Sequence, residues 1–177
     1  MSLKLFPAGA WPTDAGWIDP EVNCTQLQYS IVIRALKDVG ILEQPLGSNR
    51  GKRIDEYAKR AGVPPGSYWC AIWAGAVYAD CGALIPMNYA GTDYWLPYVV
   101  SEPVIGAAIL YGLRKKGPVR DDMDAHHIGI VVRMDPMLVT IEGNRSFAGT
   151  ASNNGIAVDI GPVTRKDILG YFHPRTA

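Results

Sequence analysis

Cys70, His127 and a polar group at Glu142 or Asn144 are the residues of this chain that together could carry nucleophilic chemistry. A thiolate attacks a carbonyl carbon, an imidazole holds and returns the proton, and a third polar group fixes the ring's tautomer and orientation. Cys70 follows the turn residues Pro64, Pro65 and Gly66, and the small-residue run that starts near it stops at Gly82. This pattern predicts a helix over about residues 69–82 with Cys70 in its first turn. The amides at a helix start are unpaired and the dipole favours negative charge there, so a thiol so placed ionises more readily. The Cys70 amide is then the expected oxyanion donor. The plain alternative is a buried core thiol, because free cysteine packs as a small hydrophobe.

Two predicted strands would bring the partners to that helix. Residues 127–133 read His-Ile-Gly-Ile-Val-Val-Arg, and residues 138–142 follow a turn at Met134, Asp135 and Pro136, which is a hairpin pattern. Strand alternation puts His127, Gly129 and Val131 on one face. It puts Leu138, Thr140 and Glu142 on one face of the next strand, with Asn144 continuing that parity if the strand extends. Gly129 is expected to let a helix come close. His126 falls on the opposite face and stays outside the site. The expected meeting point is a single helix–sheet seam holding Cys70, His127 and Glu142 or Asn144. A core histidine and an edge-strand carboxylate are the competing readings of His127 and Glu142.

The remaining elements follow in order. Residues 1–24, with Pro7, Pro12 and Pro20, predict an irregular arm packed on a single domain spanning 25–177. Residues 25–40 have helical apolar spacing, with Thr25 as N-cap and Gly40 as stop, and a short helix is expected over 53–61. Residues 83–103 lack a clear period and are rich in Tyr and Trp. They read equally as a loop with its own aromatic cluster or as a wall of a substrate groove. Further strands are expected over 105–111, 155–160 and 168–173. Helices first and strands afterwards predict an α+β fold, with N-terminal helices packed on a mainly antiparallel sheet of four to six strands.

Composition narrows the functional classes. The chain has 177 residues, 48% of them apolar and 19% charged, with a formal net charge of zero. It carries no basic field of the kind nucleic acid binding uses, and no apolar run approaches the ~20 residues of a membrane-spanning helix. Three cysteines without a Cys-x-x-Cys pair predict neither a disulfide framework nor a zinc cluster, and no cofactor or metal is expected. The first residues lack a signal-peptide pattern, which leads to an expectation of cytoplasmic synthesis.

The same residues resemble a known family. Trp69-Cys70-Ala71 at a helix start, His127-Ile128-Gly129-Ile130-Val131-Val132 opening a strand, and Ile141-Glu142-Gly143-Asn144 ending the next look like the CHAP family, the cysteine, histidine-dependent amidohydrolases/peptidases. The loop 43–51 and the closing Gly170-Tyr171-Phe172-His173-Pro174 resemble segments of that family too, so the likeness runs over about residues 25–175. It implies a papain-like fold and hydrolysis of amide bonds in bacterial peptidoglycan, by N-acetylmuramoyl-L-alanine amidase or endopeptidase action at the cell wall. It implies Cys70 as nucleophile, His127 as base, Glu142 as orienting group and Asn144 as a second polar member. Asn49, Trp69, Tyr94 and Trp95 are the expected substrate-binding residues. Peptidoglycan is the expected partner, with no nucleic acid and no membrane insertion. A phage lysin released through a holin, or a secreted antibacterial effector with its immunity protein, fits the missing signal. The alternatives are a non-catalytic wall-binding or virion structural protein that keeps the fold, and a cysteine acyltransferase or deamidase.

Overall fold

A computed structural model of the chain describes residues 24–114, 123–145 and 155–176. The arm expected over residues 1–24 lies, apart from Cys24, outside the described residues. Helix α1, Gln26–Leu36, opens with a capping box: the Thr25 hydroxyl accepts from the Gln28 amide at 3.2 Å, and the Gln28 side chain accepts from the Thr25 amide at 2.6 Å. The helix ends a turn before the expected stop. Gly40, at φ 92, then turns the chain toward the sheet, where its amide donates to the Val158 carbonyl at 2.9 Å. Helix α2, Lys52–Ala61, closes on Gly62 in the left-handed conformation, φ 70.

Helix α3, Cys70–Asp80, is buried at every position from Cys70 to Tyr78. A helix apolar all round belongs in the centre of a fold, and α3 lies between the other helices and the sheet. Its outer side is held by polar anchors. Asp38 accepts from the Trp73 indole at 2.9 Å and from the Tyr57 hydroxyl at 2.6 Å, and it pairs with Arg34 at 2.9 Å. Asp80, at the far end of α3, pairs with Arg34 at 2.8 Å and Arg60 at 2.6 Å. The buried Asp38 and the more exposed Asp80 together tie α1, α2 and α3 into one unit.

The sheet has strands β1, Ala108–Arg114; β2, Met123–Arg133; β3, Val139–Arg145; β4, Ala157–Pro162; and β5, Ile168–Phe172. Every neighbouring pair is antiparallel, in the order β4-β3-β2-β1-β5. The expected α+β class and antiparallel sheet are therefore what the chain adopts. Ala108, Leu110, Ile128, Ile130 and Ile141 join the main core with α3, while Ile109, Tyr111 and Val131 belong to a smaller cluster with Ala107 and Tyr171. Alternation along β1 and β2 sorts the two sets. Beyond the strands, Ile41 and Glu43 bond along β4, and Val100 exchanges two backbone hydrogen bonds of 2.9 Å with Tyr171 on β5.

The aromatic segment 83–103 forms a 3-10 helix, Thr92–Tyr98. Trp95 packs edge-on against Tyr78 and Phe172, with ring centroids at 5.6 and 4.9 Å. Tyr89 lies on α3 at Gly75, where an added Cβ would stand 2.0 Å from its ring. This segment is thus a core-forming cover whose inner aromatics dock on α3.

Candidate active site

Cys70 is the first residue of α3 and is 6% exposed. The residue before it, Trp69, occupies the N-cap position with φ −119 and ψ 9 and supplies no side-chain cap. A Ser, Thr, Asp or Asn there would bond the first-turn amides; the indole instead turns away and donates to Glu43 at 2.9 Å. The amides beside the Cys70 sulfur are left open to an acceptor from outside the helix.

His127 sits at a break in regular pairing. In the β1–β2 ladder Tyr111 lies opposite His127, but Gly112 lies opposite Ala125, so His126 is the extra residue of a bulge. The 3-10 segment pins this bulge. Asp93 accepts from the Ala125 amide at 2.8 Å, and the Thr92 hydroxyl donates to the Ala125 carbonyl. On its other side, β2 pairs with β3 only from Ile130 opposite Ile141 onward. His127 and Glu142 therefore meet where that ladder has opened, not on a continuous pleated face.

The His127 Nε2 to Glu142 Oε2 distance is 2.9 Å. An ionised carboxylate only accepts, so Nε2 carries the proton and Nδ1 is the basic nitrogen. Nδ1 is buried and accepts no hydrogen bond, and Cys70 is the second group, along with Glu142, that favours a proton on this ring. Such contacts are commonly loose before substrate arrives. Burial disfavours the imidazolium, but the Cys70 sulfur and the Glu142 carboxylate outweigh it and hold His127 up at about 9. Burial likewise opposes the Glu142 carboxylate, and His127, Arg145 and Thr140 outweigh it and hold the group down at about 2.

Glu142 has a second set of partners. Its Oε1 accepts from the Thr140 hydroxyl at 2.6 Å and the Tyr111 hydroxyl at 3.1 Å, with Arg145 at 4.0 Å. Gly129 makes room for it: a Cβ there would lie 2.5 Å from the Glu142 Cγ. This corrects the expected role of Gly129 as the point of helix approach. That point is Gly143, where an added Cβ would meet the Trp73 side chain at 3.0 Å.

The other expected site residues divide. Asn144 is fully buried, but a register shift between Glu142 and Arg145 and its left-handed φ of 58 end the alternation that was to align it with Glu142. Asn49 also has positive φ, 55, and its Oδ1 is buried without a hydrogen bond. Tyr94 is 53% exposed on the segment that pins the bulge. Trp69 and Trp95 have no exposed surface, which corrects their expected place among the substrate-binding residues. Their indole N–H groups go to Glu43 and to the Tyr89 carbonyl, each at 2.9 Å, and both rings are scaffold. His126 stands apart from Cys70, its Nε2 accepting from Arg165 at 2.8 Å.

Sequence reasoning missed Tyr111, Thr140 and Glu43. Thr140 had a signal, since it lies two residues from Glu142 on the same strand face. Tyr111 had none, because its place depends on the register between β1 and β2. Among the described residues, no cluster of three or more His, Cys, Asp or Glu is placed to hold a metal ion, and no helix is long and apolar enough to cross a membrane. Compared with known proteins, the chain matches no family model, no curated protein and no solved structure.

Proposed function

We propose that this chain is a papain-like cysteine hydrolase that cleaves amide bonds in bacterial peptidoglycan. The observation that carries the reading is a buried imidazole bonded through Nε2 to the buried Glu142 carboxylate, on which the Cys70 sulfur at the start of α3 also acts. The resemblance of the Cys70, His127 and Glu142 segments to the CHAP family supplies the substrate class.

The chemistry follows from the roles. Nδ1 takes the thiol proton, and the Cys70 sulfur attacks the amide carbonyl to form a C–S bond. Negative charge that develops on the carbonyl oxygen is met by the open amides at the start of α3. Collapse of the tetrahedral species breaks the C–N bond, and the imidazolium returns its proton to the leaving amine. A water then loses a proton to His127, attacks the thioester, and releases the carboxylate product and the free thiol. Glu142 stays ionised throughout and stabilises the imidazolium.

The test is clearing of purified cell walls in a zymogram, with Cys70→Ala beside the native chain. Clearing that needs Cys70 supports the proposal. Binding without clearing supports a wall-binding protein, and neither outcome supports a transferase or deamidase acting on other substrates. Mass spectrometry of released fragments distinguishes the bond: a free lactyl carboxylate on muramic acid with a free L-alanine amine means an amidase, whereas new termini within the peptide with the lactyl amide intact mean an endopeptidase.

A further inference from the structure

We infer that Tyr111 and Thr140 are positioning residues of the active site, which hold Glu142 by one oxygen so that the other stays committed to His127. The inference rests on the reading of Cys70, His127 and Glu142 as a catalytic unit, and it adds two members from β1 and β3. Tyr111 and Thr140 are both fully buried, and both hydroxyls donate to Oε1, at 3.1 and 2.6 Å. Oε2 is left to His127 at 2.9 Å.

A glutamate carboxylate on three rotatable bonds can swing either oxygen toward a neighbouring donor. Two hydroxyls on Oε1 fix the rotamer and the tilt of the carboxylate plane, and this fixes the direction in which the His127 ring points. The hydroxyls can serve in this way because neither carries charge. They orient Glu142 without competing with the imidazolium for it, as a second cation in bonding contact would.

The surroundings support the assignment. Four titratable or charged groups face Glu142: His127 from β2, Tyr111 from β1, Arg145 from its own strand and Asp159 across the ladder on β4. Arg145 is at 4.0 Å, beyond hydrogen-bond range, so the close contacts on Oε1 are the two hydroxyls. Tyr111 is itself held from two sides. Its ring stacks near that of His127, with centroids at 5.8 Å, and the Arg165 guanidinium lies over it at 4.4 Å. Arg165 is in turn tied to Asp167, which keeps it in place. The phenol is thus fixed by the ring it serves and by a cation on the segment that leads into β5.

The test uses the whole chain and a signal that does not depend on any substrate. In nitrogen-15-labelled protein, the His127 Nε2–H resonance and its exchange with water report the Nε2–Glu142 bond directly. In Tyr111→Phe/Thr140→Val, exchange at neutral pH is expected to speed up by about tenfold or more, as loss of hydrogen bonds to a charged group implies. Thr140→Ser keeps a donor and should keep exchange close to the native rate. A merely structural role would not be rescued by serine in this way. If the double variant fails to fold by circular dichroism, Thr140→Val alone is compared with Thr140→Ser on the same readout. A folded variant that exchanges at the native rate overturns the inference. This outcome is independent of wall clearing, so failure of the positioning role and failure of the hydrolase reading are told apart. Where wall hydrolysis is measurable, the variants should lower kcat with KM near its native value, because the hydroxyls act through His127.

Discussion

His127 Nε2 stands 2.9 Å from Glu142 Oε2, and the two side chains are only 4% and 7% exposed. They bridge two strands whose backbone pairing has already stopped, so this contact and its neighbours replace a missing stretch of ladder. A buried ion pair is a weak contributor to stability, but removing one partner leaves the other uncompensated.

The consequence for pH is direct. Glu142 is held below its ordinary value of 4.5, so its contribution to stability is present above that value and is lost as pH falls toward about 2. His127 is held above its ordinary value of 6.5, so its contribution is complete below that value and is lost as pH rises through about 9. Urea unfolding midpoints measured from pH 2 to pH 10 should therefore decline at both ends. Glu142→Gln should flatten the acid decline, and a slope equal to the native one would contradict the pairing.

Cys70→Ala should abolish hydrolysis and leave the fold intact. The helix accepts alanine, and the lost packing costs about 1 kcal/mol. Wall-clearing assays and urea denaturation read the two effects separately.

The other members of the unit should rank in a definite order. His127→Ala should be nearly inactive. Glu142→Gln should retain measurable turnover, slower by about 10²–10⁴-fold, because a neutral amide still holds the ring but does not stabilise the imidazolium. His126→Ala should be the milder histidine change, since its ring bonds Arg165 on the other side of the bulge. Single-turnover rates give the order.

Gly129→Ala should cost more activity than stability. Its Cβ would displace the Glu142 side chain, 2.5 Å away, and so misdirect the His127 ring. Gly143→Ala should instead destabilise by about 1–3 kcal/mol, because its Cβ would press on Trp73 and lift α3 from the sheet. Parallel measurement of unfolding and hydrolysis separates the pair.

Among the aromatics, Trp95→Ala should lower stability by about 3–5 kcal/mol through the hole left between Tyr78 and Phe172. Trp69→Phe should cost about 1–3 kcal/mol by leaving the buried Glu43 carboxylate short of its indole partner. Tyr94→Ala should unfold like the native chain and raise KM. A Tyr94 variant with native kinetics would remove it from the substrate surface.

The elements were legible where local chemistry dictates them. Thr25 and Gly82 marked helix ends, and alternation about Gly129 marked β2. The meeting of His127 with Glu142 was legible through strand parity, although the actual reason is a ladder that opens. What escaped the sequence depends on tertiary pairing. The bulge at His126 comes from two clamps on Ala125 sent by a distant segment. The Tyr111–Glu142 bond needs the β1–β2 register. Trp69 and Trp95 resemble exposed binding aromatics in sequence, and only their burial shows them to be scaffold.

The backbone covers on the outer strands bear on how this molecule fails when heated. Uncovered edge strands invite pairing with other chains and lead to aggregation. Here Ile41 and Glu43 shield β4, and the Glu43 side chain continues to Trp69, the N-cap residue before Cys70. Peeling away that shield thus unlocks a sticky edge and slackens the nucleophile's mooring in one motion. Clumping and inactivation should set in at a common temperature, well before α3 itself melts.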